Sequence, residues 1–135
     1  MNDEQKIRDV IQTYFDSMYE SSSDKARAAF HPNAKITGYL EDGLHEMSVE
    51  DFAGFVASQQ PSPKSKGEAA RLDILSIELA GDTASARIRD DYLGKTFLDS
   101  LSLLRIDGSW STVSYTHLRA HETYEGISYA GFWVK

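Results

Sequence analysis

Residues 68–110 read EAARLDILSIELAGDTASARIRDDYLGKTFLDSLSLLRIDGSW. Turn dipeptides cut this stretch at Gly81-Asp82, Leu93-Gly94 and Asp107-Gly108, and apolar residues alternate with polar ones between the cuts. The spacing predicts strands over 68–80, 83–92 and 95–106, with a fourth opening at 109–112. Strands joined in sequence by tight turns form an antiparallel meander, which can bury one face and leave the other in water.

Upstream, DEQKIRDVIQTYFDSMYE places Ile7, Val10, Ile11, Tyr14, Phe15 and Met18 at helical spacing, with Asn2 or Asp3 as the cap. SSSDKARAAFHP opens on capping serines and stops at Pro32, which predicts a short second helix. AKITGYLEDGLHEMS reads as two short strands around Asp42-Gly43. In SVEDFAGFVASQ, Ser48 and Asp51 stand in capping-box relation, and Val49, Phe52, Phe55 and Val56 share one side of a third helix. QQPSPKSKG is a loop by composition. Helices grouped early and a meander late predict an α+β domain, with helices covering one face of a strongly curved antiparallel sheet.

Composition narrows the chemistry. The 135 residues with 41% hydrophobic content suit one domain with a real core. No cysteine is present, so disulfides, thiolate metal ligands and a cysteine nucleophile are excluded. A net charge of -7 disfavours a surface that tracks phosphates, and no nucleic-acid partner is expected. The charged N-terminus lacks the apolar core of a secretory signal, and no run is long enough to span a bilayer. A cytoplasmic protein with no membrane partner is the expectation. No nucleophile elbow, phosphate loop or dinucleotide fingerprint occurs, and no cofactor is expected.

The order of elements resembles the cone fold of the nuclear transport factor 2-like (SnoaL-like, cystatin-like) superfamily. Within it, the chain is similar to the family called "putative lumazine-binding". There a proline-containing loop leads into a strand, followed by an A-x-A-R-I strand, an F-x-D-x-L-x-L-L strand and a D-G-x-W turn. Ala84, Ala86, Arg87 and Ile88 match the first of these motifs. Phe97, Asp99, Leu101, Leu103 and Leu104 match the second, and Asp107, Gly108 and Trp110 the third. The resemblance implies a curved sheet packed as a cone against three N-terminal helices, an apolar cavity between the layers, and a homodimer through the outer face of the sheet. It carries over no catalytic residue.

The stretch after Trp110 reads differently. The family continues its last strand as W-x-I-V-S-K with an aromatic and a histidine, whereas residues 113–123 here, VSYTHLRAHET, resemble the translation of a sequencing-library adapter. Residues 127–130, ISYA, match the downstream adapter block in the same frame. The expected organisation is a domain over 1–112 followed by a non-native read-through tail over 113–135. Read as evolved sequence, His117, His121 and Glu122 could bring two imidazoles one helical turn apart. A third ligand and supporting hydrogen bonds are lacking, and no metal is expected.

Within the domain, symmetric pairing across Leu93-Gly94 sets Asp99 opposite Ile88, on the face carrying Ala86, Leu101 and Leu103. A carboxyl among apolar side chains has its charged form disfavoured, which suits proton transfer near neutral pH. A structural acceptor role is the bland alternative. Asp90 falls on the same face nearer the turn, where paired acids are usually solvated. Tyr14 and Tyr39 could aim hydroxyls into the cavity or simply be core aromatics. His31, before Pro32, can border the pocket, and His45 sits in the first hairpin.

The expected function is a small-molecule-binding protein taking an apolar or aromatic ligand, with Tyr14, Phe30, His31, Tyr39, Phe52, Phe55 and Asp99 as contacts. One alternative is an isomerase, dehydratase or cyclase in which Asp99 moves a proton and Tyr14 stabilises an enolate. The other is a dimeric scaffold without catalysis.

Overall fold

The computed structural model describes residues 2–40 and 43–119. Helix α1 spans Asp3–Tyr19 and starts where the Asn2 side chain accepts from the Gln5 amide at 2.8 Å. Helix α2, Ser23–Ala29, is capped by Ser22, and strand β1 follows at once over Phe30–Leu40. Strand β2, Gly43–Ser48, runs into helix α3, Val49–Ser58, whose Ser48 and Asp51 form the reciprocal capping box. The meander is β3, Leu72–Ala80, β4, Thr83–Tyr92, β5, Lys95–Ile106, and β6, Ser109–Arg119.

The six strands form one curved, unclosed sheet in the order β2-β1-β6-β5-β4-β3. All neighbours are antiparallel except β1 and β6, which run parallel and join the early hairpin to the meander. One parallel pair within an otherwise antiparallel sheet is the refinement to the expected architecture. The helices pack together, α1 against α2 and α2 against α3, and cover the same side of the sheet.

Two boundaries differ from the sequence reading. The first strand opens at Phe30, not at Ala34, because Phe30 already pairs with Thr112; the register then shifts before Lys35. Pro32, which lacks an N–H, falls in that irregular stretch where no ladder bond is required of it. The last strand continues beyond Thr112, with Tyr115 opposite Leu101 and His117 opposite Asp99.

The core lies between helices and sheet. Ile7, Ile11, Tyr14 and Met18 recur at three- and four-residue spacing on α1 and are all buried. They meet Ala84, Ala86 and Ile88 of β4 and Leu101 and Leu103 of β5, whose alternation turns one residue in two inward. The D-G-x-W turn is fastened to the start of α1: the Trp110 indole Nε1 donates to Asp3 Oδ1 at 3.1 Å, and Arg105 Nη1 to Asp3 Oδ2 at 2.9 Å.

Candidate functional site

Three elements bring polar groups into the apolar core at one point. The inner face of β5 delivers Asp99, 2% exposed, with its backbone opposite Ile88 as the symmetric turn requires. Helix α1 delivers Tyr14, and β6 delivers Tyr115 and His117. The Tyr14 hydroxyl lies 3.3 Å from Asp99 Oδ2 and against the Tyr115 hydroxyl. The Tyr115 hydroxyl lies 2.8 Å from His117 Nδ1, and that nitrogen lies 2.8 Å from Asp99 Oδ1. The four side chains therefore close a hydrogen-bond circuit.

Burial sets the electrostatics. Desolvation pushes the Asp99 carboxyl up to about 7, against the opposing pull of hydrogen bonds from its neighbours. Desolvation drives His117 down to about 4, so the imidazole is neutral at pH 7 and its contact with Asp99 is a hydrogen bond rather than an ion pair. Neutral Nδ1 can donate to an ionised Asp99 or accept from a protonated one, so both states of the carboxyl are satisfied. Tyr14 and Tyr115 are held well above their ordinary range by burial and the nearby carboxyls, and both keep their protons.

A cavity of about 460 Å³ opens beside this circuit. Its walls are mainly apolar, with Met18, Ile36, Phe52 and Phe97 among them; Tyr115 and His117 supply polar atoms, and Phe55 and Lys95 also contribute. Asp99 stands behind Tyr115 and His117 and touches the cavity through them.

Of the residues singled out from sequence, Tyr14 and Asp99 are brought together, and Phe30 and Phe52 pack on the Tyr14 ring at 6.0 and 6.2 Å between centroids. Phe52 and Phe55 line the cavity. Tyr39 does not join them: β1 turns Ile36 and Gly38 to the cavity, so alternation sends Tyr39 outward, where it is 58% exposed. His31 also stands apart, its Nδ1 accepting from the Asn33 amide at 3.1 Å. His45 lines the cavity from β2.

The expectation that Asp90 is solvated is corrected. It is 0% exposed, because α1 packs on β4 and brings Tyr14 to act on this carboxyl. Tyr115 and His117 were not counted as site residues because the sequence from Val113 on was read as a non-native tail; a register shift between Ser102 and Leu103 also changes which residues of β6 face inward. Trp110 and Thr112 are buried before the shift and Tyr115 after it, a change of parity that simple alternation does not foresee. Among the described residues no group of three or more histidine, aspartate or glutamate side chains could hold a metal; His121 and Glu122 lie outside them.

A family model described as "Putative lumazine-binding" matches residues 2–117. The chain belongs to that family. This lumazine-binding family member is 26% identical over 101 residues to "Aldolase FrzH" of Cladobotryum sp, an alignment spanning 75% of this chain and 78% of that protein. Among solved structures, it is similar to a nuclear transport factor 2-like protein of unknown function from Shewanella baltica OS155, at 28% identity and a TM-score of 0.76, over 88% of this chain and 94% of that one. A second such protein, from Methylobacillus flagellatus KT, gives 26% identity and a TM-score of 0.77, over 88% and 93% of the chains. A protein with a cystatin-like fold from Nostoc punctiforme PCC 73102, at 12% identity and a TM-score of 0.65 over 89% and 92%, shares the fold. The cone architecture is thus common to the family's structural relatives. No described helix is long and apolar enough to cross a membrane.

Proposed function

We propose that the protein binds a small apolar or aromatic molecule in the cavity between α3, β1, β2 and the β4–β5 turn. The observation that carries this reading is the cavity itself, about 460 Å³ with aromatic and aliphatic walls that include Met18, Ile36, Phe52, Phe55 and Phe97, all of which precede Val113. That size and lining suit a bicyclic or tricyclic ligand. The family's description supports a planar heterocycle of the lumazine kind as a first compound to test. Isothermal titration with lumazine and fluorescence titration with 8-anilinonaphthalene-1-sulfonate examine it directly. Saturable binding of either, weakened at least about tenfold by filling the cavity with Phe52→Trp, is expected. Stoichiometric binding unaffected by that substitution would place the ligand elsewhere, and binding of neither compound would count against the pocket reading.

A second reading is favoured by Asp99. A buried carboxyl poised near neutrality beside a tyrosine hydroxyl is the arrangement used for proton transfer next to a carbonyl, with the hydroxyl stabilising the oxyanion. The likeness to an aldolase supports carbonyl chemistry as the class to assay.

Two further expectations are carried as proposals. The outer face of the sheet, away from the helices, is the proposed homodimer surface; it presents Ser100, Ser102, Ser114 and Thr116, all exposed. Light scattering of the parent against Ser102→Glu tests it, a dimer becoming a monomer. Residues 113–135 are proposed to be translated adapter. A separately cloned gene that departs from this sequence after Thr112 supports the proposal, and one encoding the same histidine-rich stretch overturns it. Tyr14, Phe52, Asp90 and Asp99 precede that segment, whereas Tyr115 and His117 fall inside it, so under this proposal their places in the circuit and the cavity wall belong to this chain and not to the natural protein.

A further inference from the structure

Asp90 has no part in either reading above, yet it is as fully enclosed as Asp99. Both side chains are 0% exposed, but only Asp90 has neither oxygen meeting a hydrogen-bond donor among the described residues. The strand register explains its place. Asp90 pairs with Phe97 while Ile88 pairs with Asp99, so the two acids are diagonal neighbours on the inner face of β4 and β5. The groups acting on Asp90 are Asp99 from β5, His117 from β6 and Tyr14 from α1; no lysine or arginine is among them. Tyr115, also from β6, feels both acids.

Two carboxylates in a shared dry space do not both ionise, and the pair must keep a proton. The surroundings decide which acid keeps it. Asp99 has Tyr14 at 3.3 Å and His117 Nδ1 at 2.8 Å to donate to its charge. Asp90 has no donor in hydrogen-bonding geometry, and the Tyr14 hydroxyl, the one donor acting on it, is already engaged by Asp99 and Tyr115; an ionised carboxylate so poorly served is among the costliest groups to bury.

We infer that Asp90 stays protonated and donates that proton to the Asp99 carboxylate, acting as a positioning residue that fixes the pH at which Asp99 gives up and regains its own. Protonation gives one of Asp90's two partnerless oxygens an acceptor in Asp99 and spares the other a charge. One proton exchanges, on Asp99, and one remains on Asp90. The consequence for catalysis rests on the proton-transfer reading; the pairing does not. Burial and the neighbouring acid both hold Asp90 well above the ordinary carboxylate range, in the same direction.

The test is a carbon-13 NMR titration of the side-chain carboxyls in the full chain, with no ligand added. In the parent, Asp99 is expected to titrate near neutrality and Asp90 well above it. Asp90→Asn keeps a donor and should leave the Asp99 step where it was. Asp90→Leu keeps the bulk without the donor and should move that step up by about one pH unit or more. An Asp99 step displaced equally by Asn and Leu, or unmoved by both, would overturn the inference and leave Asp90 a space-filling group. Should the Leu variant fail to fold, the parent decides alone: Asp90 titrating below Asp99 overturns the assignment, and the reverse order upholds it. Because no ligand takes part, failure of the binding or the proton-transfer reading leaves this outcome independent.

Discussion

At the residue scale, Asp99 links stability to pH in a direction opposite to that of most carboxyls. Its folded value is raised from 3.8 to about 7, so between those limits the folded chain holds a proton that the unfolded chain has released. Stability from this group therefore falls as pH rises through that window, by about 1.4 kcal/mol per unit, and is level above it. Asp99→Asn removes the slope. The variant should melt higher than the parent at pH 8, where the parent carries a buried charge, and thermal melts at pH 5 and pH 8 check it. An equal change in melting temperature at both values would refute the assignment. This residue was legible in the sequence because a two-residue turn fixes register and register fixes face. Asp90 was only half legible, since alternation gave its face but not how far the helical cover extends.

At the element scale, the β4–β5 turn holds an unusual residue. Leu93 has φ of 53° and Gly94 of 77°, the pair of positive values that a tight hairpin of this hand requires. Glycine accepts this geometry freely, whereas a leucine side chain is strained there by about 1 kcal/mol. Leu93 also lines the cavity, which gives the strain a use. Leu93→Asn should therefore raise stability by roughly 0.5–1 kcal/mol in urea denaturation while weakening ligand binding. A loss of stability would show that the side chain's packing outweighs its backbone cost. Elements were read well where capping and turn chemistry are local, as at Ser48 with Asp51. They were read less well where pairing is distant: the early start of β1 at Phe30 depends on Thr112, more than half the chain away.

At the scale of the whole molecule, Asp99 and His117 pull the stability profile in opposite directions. His117 is lowered from 6.5 to about 4, so the unfolded chain binds the extra proton in that range and stability rises with pH there. Between about 4 and 6.5 the two slopes offset each other, and a nearly flat profile is expected. Replacing His117 with phenylalanine, which can still stack on Phe97, should expose the descending slope from Asp99. Denaturant midpoints from pH 4.5 to 6.5 measure it, and a profile still flat in the variant would mean that Asp99 is not held near neutrality. The cone as a whole was legible from the order of its elements. The hydrogen-bond circuit was not, because two of its members, Tyr115 and His117, lie in the stretch read as a non-native tail and beyond a register shift that no local pattern announces.

The fastening of Trp110 and Arg105 to Asp3 makes the opening turn of α1 a clasp over the hairpin that joins β5 and β6. An indole held by a carboxylate is also a built-in optical gauge. Its emission colour should shift whenever the clasp opens, reporting movement at the β5–β6 turn, whose residues do not line the ligand chamber.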